Sequence, residues 1–135
     1  MEQVRNTAVR LVEMRKLAHQ LETAYTVELV WPLFECLDEL VCIANEKGFF
    51  IKLNEAWPRL LGWTKEKLIA TPWLELVHPD DRQKTIQAAA TMKEKPLLGF
   101  TNRYLCSDGG YREIEWFCLK WNSSGFTFCV AKEKH

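Results

Sequence analysis

The chain has 135 residues, 47% of them hydrophobic and 27% charged, with six Trp, seven Phe and three Tyr. This is the composition of one globular domain of ordinary size, and it excludes disorder as the overall state. Eighteen basic residues balance eighteen acidic ones, so neither a global field nor a local basic patch draws the chain to nucleic acid or an anionic membrane.

Residues 2 to 29 contain no Gly or Pro and are predicted as one long helix, within a leading segment 1–31. Val4, Leu11, Ala18 and Tyr25 recur seven apart, with Thr7, Met14 and Leu21 as a second series, the a and d positions of a heptad repeat. The repeat is imperfect: Thr7 is weakly apolar and Glu28 occupies the next d position. Val9, Val12 and Leu17 lie off the seam. A lone helix of this length is marginal in water and needs a partner. The expectation is a parallel contact with a second copy, with packing on the chain's own domain as the alternative. Trp31-Pro32 is predicted to end the helix, because proline disfavours helical geometry at the residue before it.

From residue 33 to 132 the pattern is that of a mixed domain. Val41–Asn45 and Phe49–Leu53 read as strands joined by a turn at Glu46-Lys47-Gly48. Asn54 suits the N-cap of a short helix carrying Trp57, Leu60 and Leu61, and Gly62 supplies the left-handed residue that stops it. Thr64 caps a second helix, with Leu68 and Ile69 turned inward, and Pro72 starts a third. His78-Pro79-Asp80-Asp81 opens a longer helix through Ile86, Ala89, Ala90 and Met92, its aspartates at the positive end. Gly99–Cys106, Tyr111–Trp121 and Phe126–Ala131 are predicted as a three-strand meander, its first turn marked by Ser107-Asp-Gly-Gly110. The order predicts an α+β domain: a five-stranded antiparallel sheet with short helices on one face, preceded by a long N-terminal helix.

The longest strand is apolar on both sides, with Ile114, Trp116 and Cys118 on one and Phe117, Leu119 and Trp121 on the other. A half-exposed sheet alternates apolar with polar. One side must pack on the domain's own helices; the other needs a second cover, from the leading helix, a partner subunit or both. Which side faces inward stays open at this point. The candidate dimer interface is therefore Val4, Leu11, Met14, Ala18, Leu21 and Tyr25 of the helix with Phe117, Leu119 and Trp121 of the sheet.

The five cysteines (Cys36, Cys42, Cys106, Cys118, Cys129) are odd in number and form no C-x-x-C pair, which suits buried reduced thiols. The three histidines lie far from them in sequence, so no metal site is expected. No apolar run approaches a membrane span, and charges stand where a secretory signal needs an apolar stretch. A cytoplasmic chain or fragment is the expectation. No phosphate loop, H-E-x-x-H or G-x-S-x-G is present. His78, Asp80 and Asp81 suit a helix start better than acid–base work, and Glu113 and Glu115 suit a charged sheet rim. The chain is not expected to be an enzyme.

Glu46-Lys47-Gly48, Asn54-Glu-Ala and Leu61-Gly62-Trp63-Thr64-Lys-Glu-Lys-Leu68 resemble the first half of a PAS domain. His78-Pro79-Asp80-Asp81-Arg82 resembles the segment opening that family's F helix. Ser107–Gly110, with Trp116 on the next strand, resembles its G-to-H hairpin. The likeness spans about residues 34 to 131. It implies the five-stranded fold with a long N-terminal cap helix, and a role in sensing small molecules, light or redox state or in holding partners together. Flavin photoreceptors of the family carry an Asn-Cys-Arg segment at the helix where this chain has Pro79-Asp80-Asp81-Arg82, so no flavin adduct is expected. Haem sensors take a histidine from within the F helix, and none lies between Asp80 and Lys93. No cofactor is therefore expected, and His78 is read as holding backbone at the helix start. The family's Asp-Ile-Thr junction after the last strand is replaced by Val130-Ala-Lys-Glu-Lys134, so the effector is not identified. The resemblance places a ligand cavity between sheet and short helices, with Trp57, Trp73, Ile86, Phe100, Asn102, Tyr104, Trp116 and Phe128 as candidate lining. The same aromatics equally suit a filled core. Asn102 is the candidate polar contact, or else is bonded to neighbouring backbone. The functional expectation is a dimeric sensory module regulating a signalling effector, with a histidine kinase of a two-component system foremost. A ligand-free interaction module and a haem or redox sensor are the alternatives.

Overall fold

The computed structural model describes residues 2–20, 25–121 and 125–135, with side chains at 4–15, 28–120 and 125–135. Five strands, β1 (Leu40–Ala44), β2 (Phe50–Leu53), β3 (Leu97–Leu105), β4 (Tyr111–Trp121) and β5 (Phe126–Glu133), form one sheet in the order β2-β1-β5-β4-β3. Every neighbouring pair is antiparallel, so the first and last strands meet at the centre. Between β2 and β3 run α3 (Ala56–Leu61), α4 (Lys65–Ala70), α5 (Trp73–Leu76), a 3-10 turn (Pro79–Asp81) and α6 (Arg82–Thr91). Ahead of the sheet lie α1 (Glu2–Gln20) and α2 (Tyr25–Glu35). The expected α+β architecture is present.

Successive strand residues point to opposite faces, and the sheet uses both. Ile114, Trp116 and Cys118 belong to an inner core with Trp57, Leu61, Leu68 and Leu76 of the short helices. Phe117, Leu119, Phe128 and Val130 belong to an outer core with Leu11 of α1 and Val30, Trp31 and Phe34 of α2. The chain's own leading helices thus cover the second apolar face. Leu11 and Phe117 are fully buried and Leu119 nearly so, while Val4 and Met14 pack against the same cluster.

This corrects the interface expectation. Leu11, Phe117 and Leu119 are taken up inside the chain, while Val4 and Met14 are half-buried against the same cluster. The side chains of Ala18, Leu21, Tyr25 and Trp121 lie outside the described residues. Over three turns a heptad stripe and a globular stripe select nearly the same residues, so periodicity did not distinguish a twin from the chain's own sheet.

Two further expectations at the front of the chain are corrected. Helix α2 runs through Trp31 and Pro32 to Glu35, so Trp31-Pro32 does not end it; the expected continuity of one helix across residues 21–24 lies outside the described residues. Pro32 is exposed and forfeits one backbone hydrogen bond. Burial of Val30, Trp31 and Phe34, at roughly 2 kcal/mol each, outweighs that loss, and Trp31 Nε1 donates to Glu35 one turn on (2.8 Å). Asn54 does not cap α3 with its side chain. It is fully buried, its Oδ1 accepts from the Val41 amide (3.1 Å), and its Nδ2 donates to the carbonyls of Phe34 (3.0 Å) and Glu39 (2.8 Å). It stitches the α2–β1 connection to the end of β2. Gly62 ends α3 at φ 86°, its amide donating to Pro58 (2.8 Å), and a Cβ there would run into the Ser107 side chain. Thr64 caps α4, its hydroxyl accepting from the Lys67 amide (3.1 Å). Leu68 is buried, but Ile69 points to solvent, contrary to expectation.

Candidate functional site

A cavity of about 170 Å³ opens between the sheet's inner face and α5 and α6. Its walls are Trp73, Phe100 and Trp116 with Phe50, Met92 and Leu97, and its rim carries Asn45, Glu46, Lys120 and Thr127. The space exists because α6 presents Ala88 and Ala89 to the sheet, where larger side chains would fill it.

Five of the eight expected lining residues, Trp73, Phe100, Asn102, Tyr104 and Trp116, line this cavity. Three do not. Trp57 is buried behind the wall, with its ring 5.4 Å from Trp116 and 6.2 Å from Tyr104, and its Nε1 donates to Val41 O (3.1 Å). Ile86 is 47% exposed, because Thr85, Ala88 and Ala89 take the inward stripe of α6. Phe128 faces the outer core against Phe34, 5.5 Å between rings, since strand parity sends it opposite to Cys129.

Asn102 is bonded to side chains and not to neighbouring backbone. Its Oδ1 accepts from Trp116 Nε1 (2.7 Å) and its Nδ2 donates to Thr85 Oγ1 (3.2 Å), which in turn donates to Asp81 O (2.7 Å). This relay orients the indole wall and ties it to the start of α6. The Asp81 carboxylate is clamped on β3: Arg103 donates from its amide (2.8 Å), Nε (2.9 Å) and Nη2 (2.8 Å). The Arg103 bonds hold the Asp81 carboxyl down at about 2, against the opposing effect of burial. Asp81 is thus a strand clamp more than a helix-end charge. His78 holds backbone as its sequence context suggests, its Nδ1 accepting from the Asp80 amide (3.0 Å) and its own amide donating to Arg103 O (2.9 Å).

Tyr104 crosses the inner face beneath Trp116 (5.4 Å between rings) to Phe50 (6.5 Å). It is 2% exposed and lines the cavity. Among the described residues no hydrogen bond reaches its hydroxyl.

Three cysteines that sequence reasoning treated singly form a row. Cys42 of β1 stands opposite Cys129 of β5, and Cys129 stands opposite Cys118 of β4. All are reduced and buried, and Cys118 and Cys129 line the cavity. Burial pushes the Cys42 and Cys118 thiols well up. Cys129, in the middle, goes the other way, because both neighbours can donate S–H hydrogen bonds to its thiolate. The signal in the sequence is an apolar cysteine on each of three strands, but only the β1–β5 pairing aligns them. Ala89 and Met92 are likewise legible in the sequence only as part of a helix stripe, and Ala88 is not marked there.

Among the described residues no group of three His, Cys, Asp or Glu is placed to hold a metal ion, and no helix is long and apolar enough to cross a membrane. The fold and site define a small α+β domain with a two-faced sheet and an apolar cavity under its short helices. The sequence matches the PAS fold family over residues 50–130, more than half of the chain, and the chain belongs to that family as a PAS sensory domain. It is similar to the PAS domain of a Colwellia psychrerythraea protein (20% identity, TM-score 0.69, covering 80% of this chain and 96% of that one). A domain of a sensory box sensor histidine kinase/response regulator from Geobacter sulfurreducens matches at 18% identity and TM-score 0.66, covering 82% and 97%. The Drosophila melanogaster Cycle PAS-B domain with bound ethylene glycol matches at 16% and 0.58, covering 70% and 97%. No curated protein matches the chain by sequence.

Proposed function

We propose that this PAS domain is a non-catalytic, cytoplasmic sensor of a small apolar molecule, acting as a homodimer that regulates a histidine kinase of a two-component system. The cavity of about 170 Å³ carries the reading: a dry apolar cavity near that size holds a molecule of roughly six to ten heavy atoms. Its opening between α6 and the sheet suits a ligand that sets how tightly α6 docks. The kinase assignment draws on the Geobacter neighbour, whose parent is a sensor histidine kinase/response regulator. A cofactor-free site is supported by the cavity's lining, which among the described residues includes no histidine, and by Pro79-Asp-Asp-Arg82, which lacks a reactive cysteine.

Dimerisation falls to the other side of α1. Val9 and Val12 are 49% and 41% exposed, one turn apart and directed away from the sheet, and a second copy of the helix would bury them. Light scattering at high micromolar concentration is expected to give the mass of two chains; a strict monomer counts against the dimer.

The sensing reading is tested by titrating phenol-sized apolar molecules into the protein and following amide chemical shifts. Shifts are expected at Phe100, Trp116 and Cys129 and are expected to be lost in Ala89→Phe, which fills the space. Ligands that shift nothing, with a core that excludes them, would instead identify a ligand-free interaction module.

A further inference from the structure

Two thiols of the row, Cys118 and Cys129, and Tyr104 line the same cavity, and together they go beyond reversible occupancy. Neighbouring strands lie about 4.8 Å apart, so Cys129 has a thiol on each side. Cys42 and Cys118 are two strand spacings apart, roughly 9–10 Å, too far for one metal ion to be held by all three. What such a row supplies is one sulfur whose thiolate both neighbours can stabilise by S–H donation, and the thiolate is the nucleophilic form. Tyr104, a residue 2% exposed on the cavity wall, adds an O–H donor that spends no hydrogen bond on the described residues. The walls Trp73, Phe100 and Trp116 suit a flat apolar body.

Resting on the reading of the cavity as the sensory site, we infer that its ligand class is a small α,β-unsaturated carbonyl compound, captured covalently by Cys129 while Tyr104 binds the carbonyl oxygen. The Cys129 thiol gives up its proton and its sulfur forms a bond to the β-carbon. The carbon–carbon π pair moves toward the carbonyl, where the Tyr104 O–H stabilises the developing enolate oxygen. The proton released by sulfur returns at the α-carbon. The thiol has added across the double bond, and nothing is oxidised or reduced.

The test uses the full chain carrying Cys36→Ser, which removes the exposed thiol, and trans-2-hexenal, a molecule of about seven heavy atoms. Intact-mass spectrometry separates thiol addition, which keeps the aldehyde oxygen, from imine formation at lysine, which loses water. One addition per folded chain is expected, mapped to Cys129 and absent in Cys129→Ala. Cys106, buried but outside the cavity lining, is the internal control and is expected to stay free. Tyr104→Phe is expected to slow addition at least roughly tenfold with its melting curve preserved. Labelling only on unfolding, equal labelling of Cys106, or a Tyr104→Phe rate equal to the parent's overturns the inference; should Cys129→Ala not fold, the adduct map and the Tyr104→Phe rate still decide. Hexanal, which lacks the double bond, separates the two readings. Hexanal shifts at Trp116 without any hexenal adduct refute covalent capture and leave the sensor standing, whereas no response to either aldehyde refutes both.

Discussion

Leu11→Ala tests whether α1 belongs to this chain's own core. Leu11 is fully buried against the outer sheet face, in one cluster with Phe117, Val130 and Val41. Truncating a buried leucine costs about 2.7–5 kcal/mol in well-packed cores. A surface helix that can settle toward the sheet sits at the low end, so about 2–3 kcal/mol is expected here. That corresponds to a fall of roughly 8–12 °C in Tm for a domain of this size. Leu33→Ala, at a position of α2 that is 64% exposed, is expected to change stability by less than about 0.5 kcal/mol. The assay is urea denaturation followed by tryptophan fluorescence, repeated across a roughly hundredfold dilution. A side chain buried within its own chain costs the same at every concentration. One buried only between two copies loses its contribution as the dimer dissociates, a linkage of about 2.7 kcal/mol per hundredfold. A Leu11→Ala loss below about 0.5 kcal/mol, or one that vanishes on dilution, would refute the intramolecular cover.

The Asp81 clamp predicts acid sensitivity with a definite sign. Its carboxyl is held at about 2 against an ordinary 3.8, so its stabilisation is complete above about pH 4 and is lost as pH falls through 2. Full conversion of that shift gives roughly 2.4 kcal/mol, discounted to about 1–2 because Arg103 is 42% exposed. Urea midpoints measured from pH 5 to 2 are expected to fall more steeply in the parent than in Asp81→Asn, and parallel slopes would count against the clamp. Asn54→Ala is expected to cost about 2–4 kcal/mol, because it strands the Val41 amide and the Phe34 and Glu39 carbonyls in a buried site. Hydrogen exchange at Val41 should accelerate by a comparable factor, and a loss under about 1 kcal/mol would mean that water replaces the amide.

What was legible in the sequence and what was not divide along the range of the interactions. The hairpin glycines, the Thr64 cap, the Gly62 stop and the two-sided apolar alternation of β4 depend on neighbours a few residues away, and the chain spells them out. Asn54 looked like a cap because it precedes a helix; its real partners stand 13 to 20 residues earlier and appear only when α2 and β1 are in place. Pro32 looked like a stop because local backbone bias was weighed without the burial of Trp31 and Phe34. The family resemblance suggests Ile86 and Phe128 for the cavity, whereas helix phase and strand parity decide the face, and a one-residue difference in strand parity reverses it. The lining that sequence reading missed, Ala88 and Ala89, is marked by smallness. A cavity is made by what a side chain lacks, a signal that appears only when the facing sheet is known.

The same parity gives the sensor reading its route out of the cavity. Trp116 faces the cavity and its chain neighbour Phe117 lies under α1; Cys129 faces the cavity between Phe128 and Val130, both in the outer core. A ligand that moves Trp116, or an adduct that crowds Cys129, therefore acts one peptide bond away from residues on which α1 and α2 rest. Interiors packed at crystal density transmit such displacements in place of absorbing them. Helix α1 is the element best placed to respond: side-chain burial on the sheet holds it, whereas α2 is also tied to β2 by the Asn54 amide and the Lys52–Glu28 ion pair. The docking of α1 is therefore the contact in line with the cavity that can loosen, and a ligand whose affinity differs between docked and loosened states shifts that balance by the difference. A signal leaving through α1 needs no opening of the sheet and no motion of the Asp81 clamp, which holds the cavity's far wall fixed while the near side moves.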